Sequence, residues 1–94
     1  MERRIALERV MQRKDVTVAS DDGAVTFSLE PCAGGVYMER TRSRPHARRI
    51  VQAIHFPDEA SFVRWCEGDR LQFAYPLLLA TLRRSGCALF HTAD

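Results

Sequence analysis

Long hydrophobic runs are missing from this 94-residue chain, in which apolar stretches such as Leu77 to Ala80 are short. A helix that crosses a membrane needs about 20 consecutive apolar residues, so the sequence argues against a membrane partner. The first residues, Met-Glu-Arg-Arg-Ile-Ala-Leu-Glu, also lack the apolar segment that is typical of a signal peptide. We therefore expect a cytoplasmic protein.

Cysteine is scarce, and its spacing fits neither a disulfide framework nor a metal site. Cys32, Cys66 and Cys87 are odd in number and widely separated, which is typical of reduced thiols. Zinc usually takes ligands in closely spaced pairs, whereas no Cys-x-x-Cys occurs here and the histidines stand far apart. We expect no bound metal, and we interpret each cysteine as a small buried hydrophobic residue.

Motifs of catalysis and of cofactor binding are also absent from the sequence. No serine or cysteine lies in a recognisable nucleophile motif, and Gly34-Gly35 fits neither the dinucleotide-binding pattern nor the phosphate-loop pattern. Adjacent carboxylates occur at Asp21-Asp22 and Asp58-Glu59, where a turn and a helix start already explain them. The sequence favours a protein that is not an enzyme and that binds no cofactor.

The composition that remains is that of one ordinary folded domain. Hydrophobic residues make up 46% of the chain and charged residues 28%, with a mean hydropathy of -0.25. A chain of this length holds one hydrophobic core, so we expect a single domain over residues 1–94. All of the basic residues except Lys14 are arginines, a bias that suits a GC-rich coding sequence and a bacterial source.

Four segments alternate between apolar and polar residues, as half-buried β-strands do. They cover residues 16–20, 25–30, 36–42 and 48–56. Asp22-Gly23 is typical of a tight hairpin turn, whereas Pro31 and the following glycine pair are expected to end the second strand. The sequence predicts four consecutive antiparallel strands.

Two helices are predicted after the strands. The first covers residues 58–67, because Pro57 and the acidic pair beyond it suit the positive end of a helix dipole, and Gly68 ends it. We assign its buried side to Ala60, Phe62, Val63 and Cys66, with Trp65 at the margin.

The second helix is predicted over residues 76–85, after a short turn at 70–74, and Gly86 is expected to end it. Cys87 to Phe90 would then add a short edge strand. Residues 2–13 fit a helix and a strand about equally well, so both remain open. Together these segments predict an α+β fold, in which C-terminal helices pack on one face of a four-stranded antiparallel meander.

Charge is unevenly distributed along the chain, although the formal net charge is only +2. Residues 16–38 contain acidic groups and no basic ones, residues 39–55 contain five arginines against Glu39 alone, and residues 56–69 are again mainly acidic. Like charges this close repel one another. The arginines are therefore expected to meet either acidic neighbours or a polyanionic ligand.

The first functional hypothesis is a nucleic-acid-binding module, in which the arginines contact phosphates while Tyr37, His46 or His55 stacks on unpaired bases. Four strands followed by a helix, over residues 16–85, resemble the order found in single-strand-binding transcription cofactor domains, including the Whirly type. This resemblance of coarse topology implies a single-stranded nucleic acid as the partner and assigns no residue roles. The alternative is a solvated, arginine-rich loop. The candidate contacts are Arg40, Arg42, Arg44, His46, Arg48, Arg49 and Tyr37.

The second hypothesis is a module for homodimerisation or for binding a protein partner. The C-terminal third contains more large apolar side chains than a thin two-layer fold easily buries. The alternative is that these residues complete the core. The candidate interface residues are Phe73, Tyr75, Leu89 and Phe90.

Overall fold

A computed structural model of the chain describes residues 15–44 and 47–91. The strands are β1 (Val16–Ala19), β2 (Val25–Cys32), β3 (Gly35–Arg44) and β4 (Ala47–Phe56), and the helices are α1 (Glu59–Gly68), α2 (Leu71–Ala74) and α3 (Pro76–Leu89). The strands pair antiparallel in the order β1-β2-β3-β4. This architecture confirms the predicted α+β fold class. The ambiguous segment 2–13 and the candidate His46 lie outside the described residues.

One face of the sheet forms the floor of the hydrophobic core. Along β2, Val25, Phe27 and Leu29 are buried, whereas Ser28 points to the other face and is exposed. Helix α3 packs on β1 and β2, and α1 packs near β4, so the helices cover this face. Of the helices in the described residues, none is both long and apolar enough to cross a membrane.

Strand β2 continues to Cys32, two residues further than the sequence predicts. Pairing between β1 and β2 extends only as far as the Val16–Leu29 pair. Pro31 therefore lies beyond that ladder, where its missing N–H removes no hydrogen bond between these two strands. The predicted reversal occurs at Gly34 and Gly35, which have φ angles of 81° and 143°.

Helix α3 continues past Gly86 to Leu89, so the predicted helix end and the predicted edge strand at residues 87–90 are both wrong. Gly86 is buried where α3 crosses α1, and a Cβ atom there would lie 2.3 Å from Cζ of Phe62. The glycine is therefore needed for a close helix contact rather than for a helix end. The extension buries Leu89, which is 4% exposed.

Two aspartates fix the backbone at the ends of these elements. Asp58 caps α1, because its Oδ1 atom accepts a hydrogen bond of 2.8 Å from the N–H of Ser61. Asp22 closes the β1–β2 turn through its Oδ1 atom, which accepts from the Ser20 hydroxyl at 2.6 Å and from the Ala24 N–H at 2.9 Å. Both carboxylates are therefore held in the ionised form.

These two aspartates predict a loss of stability in acid. The Ser20 hydroxyl is the largest cause that lowers the pKa of Asp22, and the Ser61 backbone N–H is the largest for Asp58, both from an ordinary value of 3.8. A carboxyl group whose pKa is lower in the native state than in the unfolded state contributes its full stabilisation when the pH is above the unfolded pKa. That stabilisation is lost as the pH falls through the native pKa. We expect the Tm to fall as the pH is lowered from about 5 to 2.

The Asp22→Asn/Asp58→Asn variant should show a flatter Tm profile over the same range. Asp21→Asn is the control, because the Asp21 side chain makes no hydrogen bond within residues 15–44 and 47–91. A double variant with the full acid dependence of the wild type would contradict this explanation.

Candidate nucleic-acid interface

The five arginines of the β3–β4 hairpin divide between the two faces of the sheet. Residues two apart on a strand share a face, as do residues directly opposite on an antiparallel neighbour. Arg40, Arg42 and Arg44 therefore lie on one face, and Arg49 joins them because it pairs with Arg42. Arg48 lies on the opposite face. The sequence predicts the cluster of arginines but not this division.

A β-bulge decides which arginine of β4 faces Arg42. Arg40 pairs with Gln52 but Thr41 pairs with Ile50, so Val51 has no partner in the register. In a regular ladder Ile50 would stand opposite Arg42, and Arg49 would lie on the other face. The extra residue therefore brings Arg49 to the face of Arg42, and it also bends and twists the strand there.

Arg40 is held beneath the helices and its charge is compensated within the fold. Its guanidinium carbon lies 5.2 Å from the ring centre of Phe27 and 5.3 Å from that of Trp65, and one guanidinium nitrogen pairs with the Asp69 carboxylate. The Arg40 side chain is only 17% exposed. Trp65, expected at the margin of α1, also packs edge-on against Phe27 and Phe56. Arg40 is therefore occupied by the fold rather than offered to a ligand.

The Arg40–Asp69 pair predicts a large effect of removing its acidic member. Asp69→Ala leaves a mostly buried guanidinium without its counter-charge and removes the Oδ1 atom that accepts the Leu71 N–H at 2.9 Å. We expect the free energy of unfolding to fall by about 2–4 kcal/mol in urea denaturation.

Glu67→Ala is the matched control for Asp69→Ala. It breaks the exposed Arg83–Glu67 pair, whose nitrogen and oxygen lie 3.5 Å apart, and it should lower the free energy of unfolding by less than about 1 kcal/mol. Equal losses in the two variants would show that the buried pair contributes no more than a surface contact.

The other arginines on this face border an open cleft. Arg42, Arg44 and Arg49, together with Ala47 and Val51, line a shallow space of about 400 Å³. All three arginines are exposed, and in the described part of the chain none of them pairs with a carboxylate. We call these three residues the arginine cleft.

The arginine cleft lies at the free end of the sheet. Arg42 pairs with Val25, the first residue of β2, so the β3–β4 ribbon extends past β2 from that point. Arg44 and Ala47 form the outermost described pair of this ribbon. The cleft is therefore open to a ligand at the tip and along the β4 edge.

The proposed stacking residues lie elsewhere on the sheet. Tyr37 and His55 pair with each other on the face opposite the cleft, and Tyr37 is five residues from Arg42, or about 17 Å along the strand. The Tyr37 hydroxyl donates a 2.7 Å hydrogen bond to Glu39, which raises the pKa of this tyrosine, and Glu30 is its partner on β2. The structure thus places Tyr37 among carboxylates, which would repel a phosphate chain.

The four candidate interface residues also separate in the structure. Phe73 is 79% exposed, whereas Leu89 is buried and the Phe90 ring centre lies 5.9 Å from that of Phe62. Tyr75 is half-buried. Leu77, which belongs to the same apolar surplus but is not one of the four candidates, is also 79% exposed. The sequence contains a signal for this exposure. Successive helical residues are rotated by about 100°, so the three consecutive leucines at 77–79 cannot all face the core.

Tyr75 fixes the corner between α2 and α3 against the β1–β2 turn. Its hydroxyl donates a 2.9 Å hydrogen bond to Oδ2 of Asp22. This bond raises the pKa of Tyr75, whereas the nearby charge of Arg42 lowers it by a smaller amount. The hydrogen bond places Tyr75 at the β1–β2 turn, which leads into Val25, the partner of Arg42 on β3.

The cysteines differ in environment. Burial raises the pKa of Cys66 to about 12 and, together with a hydrogen bond to Glu59, also raises the pKa of Cys87. Both thiols therefore keep their protons near neutral pH, where a thiolate nucleophile is not formed. Cys32 is exposed at the end of β2, so its interpretation as a buried residue is wrong.

Comparisons with protein-family models, with curated proteins and with solved structures gave no match to this chain. The topological resemblance to single-strand-binding transcription cofactor domains therefore stays a prediction, and the functional argument depends on the geometry of the arginine cleft.

Proposed function

We propose that this protein is a small cytoplasmic binding module without catalytic activity, and that its ligand is single-stranded nucleic acid. One observation carries the proposal. Arg42, Arg44 and Arg49 are exposed on one face of the ribbon, and no carboxylate of the described residues neutralises them. Guanidinium groups bind phosphate oxygens in bidentate fashion, so such a cluster suits a polyanion.

The spacing of the arginine cleft suits consecutive phosphates. Arg42 and Arg44 are two residues apart on β3, which separates their Cα atoms by about 6.7 Å. Arg42 and Arg49 are direct cross-strand partners, with Cα atoms about 5 Å apart. Successive phosphates of an extended strand are separated by similar distances. The three arginines therefore stand at the corners of a small triangle, from which neighbouring phosphates of one backbone can be bound.

The β4 edge supports the nucleic-acid proposal over dimerisation through the sheet. Pairing of β4 with a second copy would need a regular, unpaired edge, whereas this strand contains the Val51 bulge and the adjacent cations Arg48 and Arg49. Bulges and edge charges are the usual means by which proteins prevent such pairing. The edge is therefore poorly suited to a symmetric sheet and remains open to an anionic chain.

A homodimer or a protein partner is the second candidate function. It is favoured by the exposed apolar pair Phe73 and Leu77 at the α2–α3 corner. A stable interface buries about 800 Å² on each partner, of which two side chains supply a minor part. The other two apolar candidates, Leu89 and Phe90, are used by the core. This candidate is therefore the less well supported.

Fluorescence anisotropy with labelled single-stranded DNA, RNA and duplex DNA tests the proposal, using protein freed of nucleic acid. We expect micromolar or tighter binding to single strands, with a slope of log K against log salt of about -2 for three phosphate contacts. Absence of binding at low salt would contradict the proposal. Light scattering on the same samples measures self-association, and a dimer that binds no oligonucleotide would favour the second candidate.

A further inference from the structure

Phe73 is a large aromatic side chain for which the fold has no use. It is 79% exposed and makes no ring contact with another aromatic residue of the described chain. A phenylalanine ring left in water does not contribute the stabilisation that burial would supply.

Helix α2, which contains Phe73, lies beside the arginine-bearing part of β3. Just before the helix, Asp69 pairs with Arg40, and just after it, the Tyr75 hydroxyl is bound to Asp22 of the β1–β2 turn. That turn leads into Val25, the partner of Arg42 on β3. The four residues of α2 span about 6 Å, close to the separation of Arg40 and Arg42 along the strand. Phe73 therefore lies on the helix-covered side of the sheet, in the segment that joins the Arg40 site to the β1–β2 turn, at the end of the sheet from which the β3–β4 ribbon extends.

The short helix is fixed in place on every side. Asp69 accepts the N–H of Leu71 at 2.9 Å, the Gln72 side-chain amide donates to the Glu67 carbonyl at 2.9 Å, and the Tyr75 hydroxyl is bound to Asp22. Leu71 packs against the core. The Phe73 backbone is thus preorganised, so little conformational entropy is lost when a ligand binds to the ring.

We propose that Phe73 stacks on an unpaired base of the strand whose phosphates bind to the arginine cleft, an inference that rests on the proposed function. Single-strand-binding proteins combine a positively charged groove with aromatic rings that stack on bases, because every base has a π-face. The exposed arginines at this end of the sheet select a polyanion rather than a neutral apolar partner. This assignment replaces Tyr37 and His55, which lie on the face of the sheet opposite the arginine cleft.

Stacking gives the module its preference for single strands. Bases inside a duplex are stacked on one another and cannot reach an exposed ring, whereas the phosphates of both forms can reach the arginines. Duplex DNA should therefore bind through the arginine cleft alone and with lower affinity. Because every base stacks, we expect little sequence preference.

Anisotropy titrations with labelled oligothymidylate of about 12 nucleotides, and with an oligonucleotide of equal length and charge that contains abasic sites, test the inference. We expect Phe73→Ala to weaken binding to oligothymidylate about ten-fold or more, with an unchanged salt slope. Phe73→Trp should bind oligothymidylate as tightly as the wild type. Phe73→Ala should bind the abasic strand with the same affinity as the wild type. The Tm of Phe73→Ala should equal that of the wild type, because the Phe73 side chain is exposed.

Leu77→Ala is the matched control, because Leu77 is as exposed as Phe73 but has no ring to stack. We expect it to bind oligothymidylate within about two-fold of the wild type. If Phe73→Ala binds the strand as tightly as the wild type while binding still depends on the arginines, the inference is wrong and the proposed function stands.

A different outcome is that Phe73→Ala and Leu77→Ala both weaken self-association and leave the affinity for oligonucleotide unchanged. In that case the α2–α3 corner is a protein interface, and the inference is again wrong. If the wild type binds no oligonucleotide at low salt, the proposed function fails, and the inference fails with it.

Discussion

Replacing Gly35 with alanine is expected to prevent the chain from folding. Gly35 begins β3 with a φ of 143°, a conformation that side-chain-bearing residues rarely adopt. A Cβ atom there would lie 1.9 Å from the carbonyl oxygen of Phe56 and 2.9 Å from its carbonyl carbon. These are backbone atoms at the end of β4, so no side-chain rotation relieves the overlap.

The cost of this substitution should exceed about 4 kcal/mol, because backbone strain and steric overlap add together. That loss is a large part of the stability of a small domain. Far-ultraviolet circular dichroism and urea denaturation of Gly35→Ala measure it, and we expect an unfolded or aggregated product at room temperature.

Gly34→Ala is the control for Gly35→Ala. Gly34 also has a positive φ of 81°, but a Cβ atom there would meet nothing within 4 Å. It should therefore cost only the strain of a left-handed residue, about 1–2 kcal/mol, and remain folded. Gly35→Ala with stability equal to that of Gly34→Ala would contradict the close approach of β3 to the end of β4.

Replacing the arginine cleft by alanine is expected to remove nucleic-acid binding without affecting the fold. In the Arg42→Ala/Arg44→Ala/Arg49→Ala variant, the affinity for oligothymidylate should fall by about 100-fold or more, and the salt slope should approach zero. The Tm should stay nearly the same, because exposed arginines contribute little to folding.

A second triple variant separates the cleft from the net charge of the protein. Arg64→Ala/Arg70→Ala/Arg84→Ala removes the same number of exposed positive charges from the helices and their connection. It should retain most of the affinity, because the phosphate contacts at the ribbon remain. Equal losses in the two triple variants would show that binding follows net charge and that the cleft is not a site.

The strand pattern was predictable from sequence because a half-buried strand alternates with a period of two, as Val25, Phe27 and Leu29 do. The continuation of α3 past Gly86 to Leu89 was not predictable. A glycine near the end of a helical pattern usually stops the helix, whereas here it admits the Phe62 ring of a neighbouring helix. The contact with Phe62, which the sequence does not reveal, distinguishes a glycine that ends a helix from one that allows close helix packing.

The arginine cluster was visible in the sequence, but the division of its members was not. The bulge at Val51 decides that Arg49 rather than Arg48 lies beside Arg42, and no local residue signal marks its position. Arg40 looks like its neighbours in the sequence, yet Asp69 and the Trp65 ring occupy its guanidinium. An acidic neighbour therefore accounts for Arg40, whereas a polyanionic ligand for Arg42, Arg44 and Arg49 stays a prediction.

The stacking candidate shows the same limit of sequence reasoning. Tyr37 and His55 are close to the arginines along the chain, and so they were the natural choice. In the structure they face away from the cleft, while Phe73, which is distant in sequence, lies on the helix-covered side of the sheet, the face that also carries Arg42. Which aromatic ring accompanies a basic cluster is decided by the packing of helices on the sheet.

Two-dimensional NMR of the backbone amides during titration with oligothymidylate tests the central claim most directly, because it locates the ligand on the protein. We expect the largest shifts at residues 42–44 and 49–51 of the ribbon and at Phe73 in α2. Shifts confined to Tyr37, Glu39 and His55, or no shifts at low salt, would contradict the assignment of the arginine cleft as the binding site.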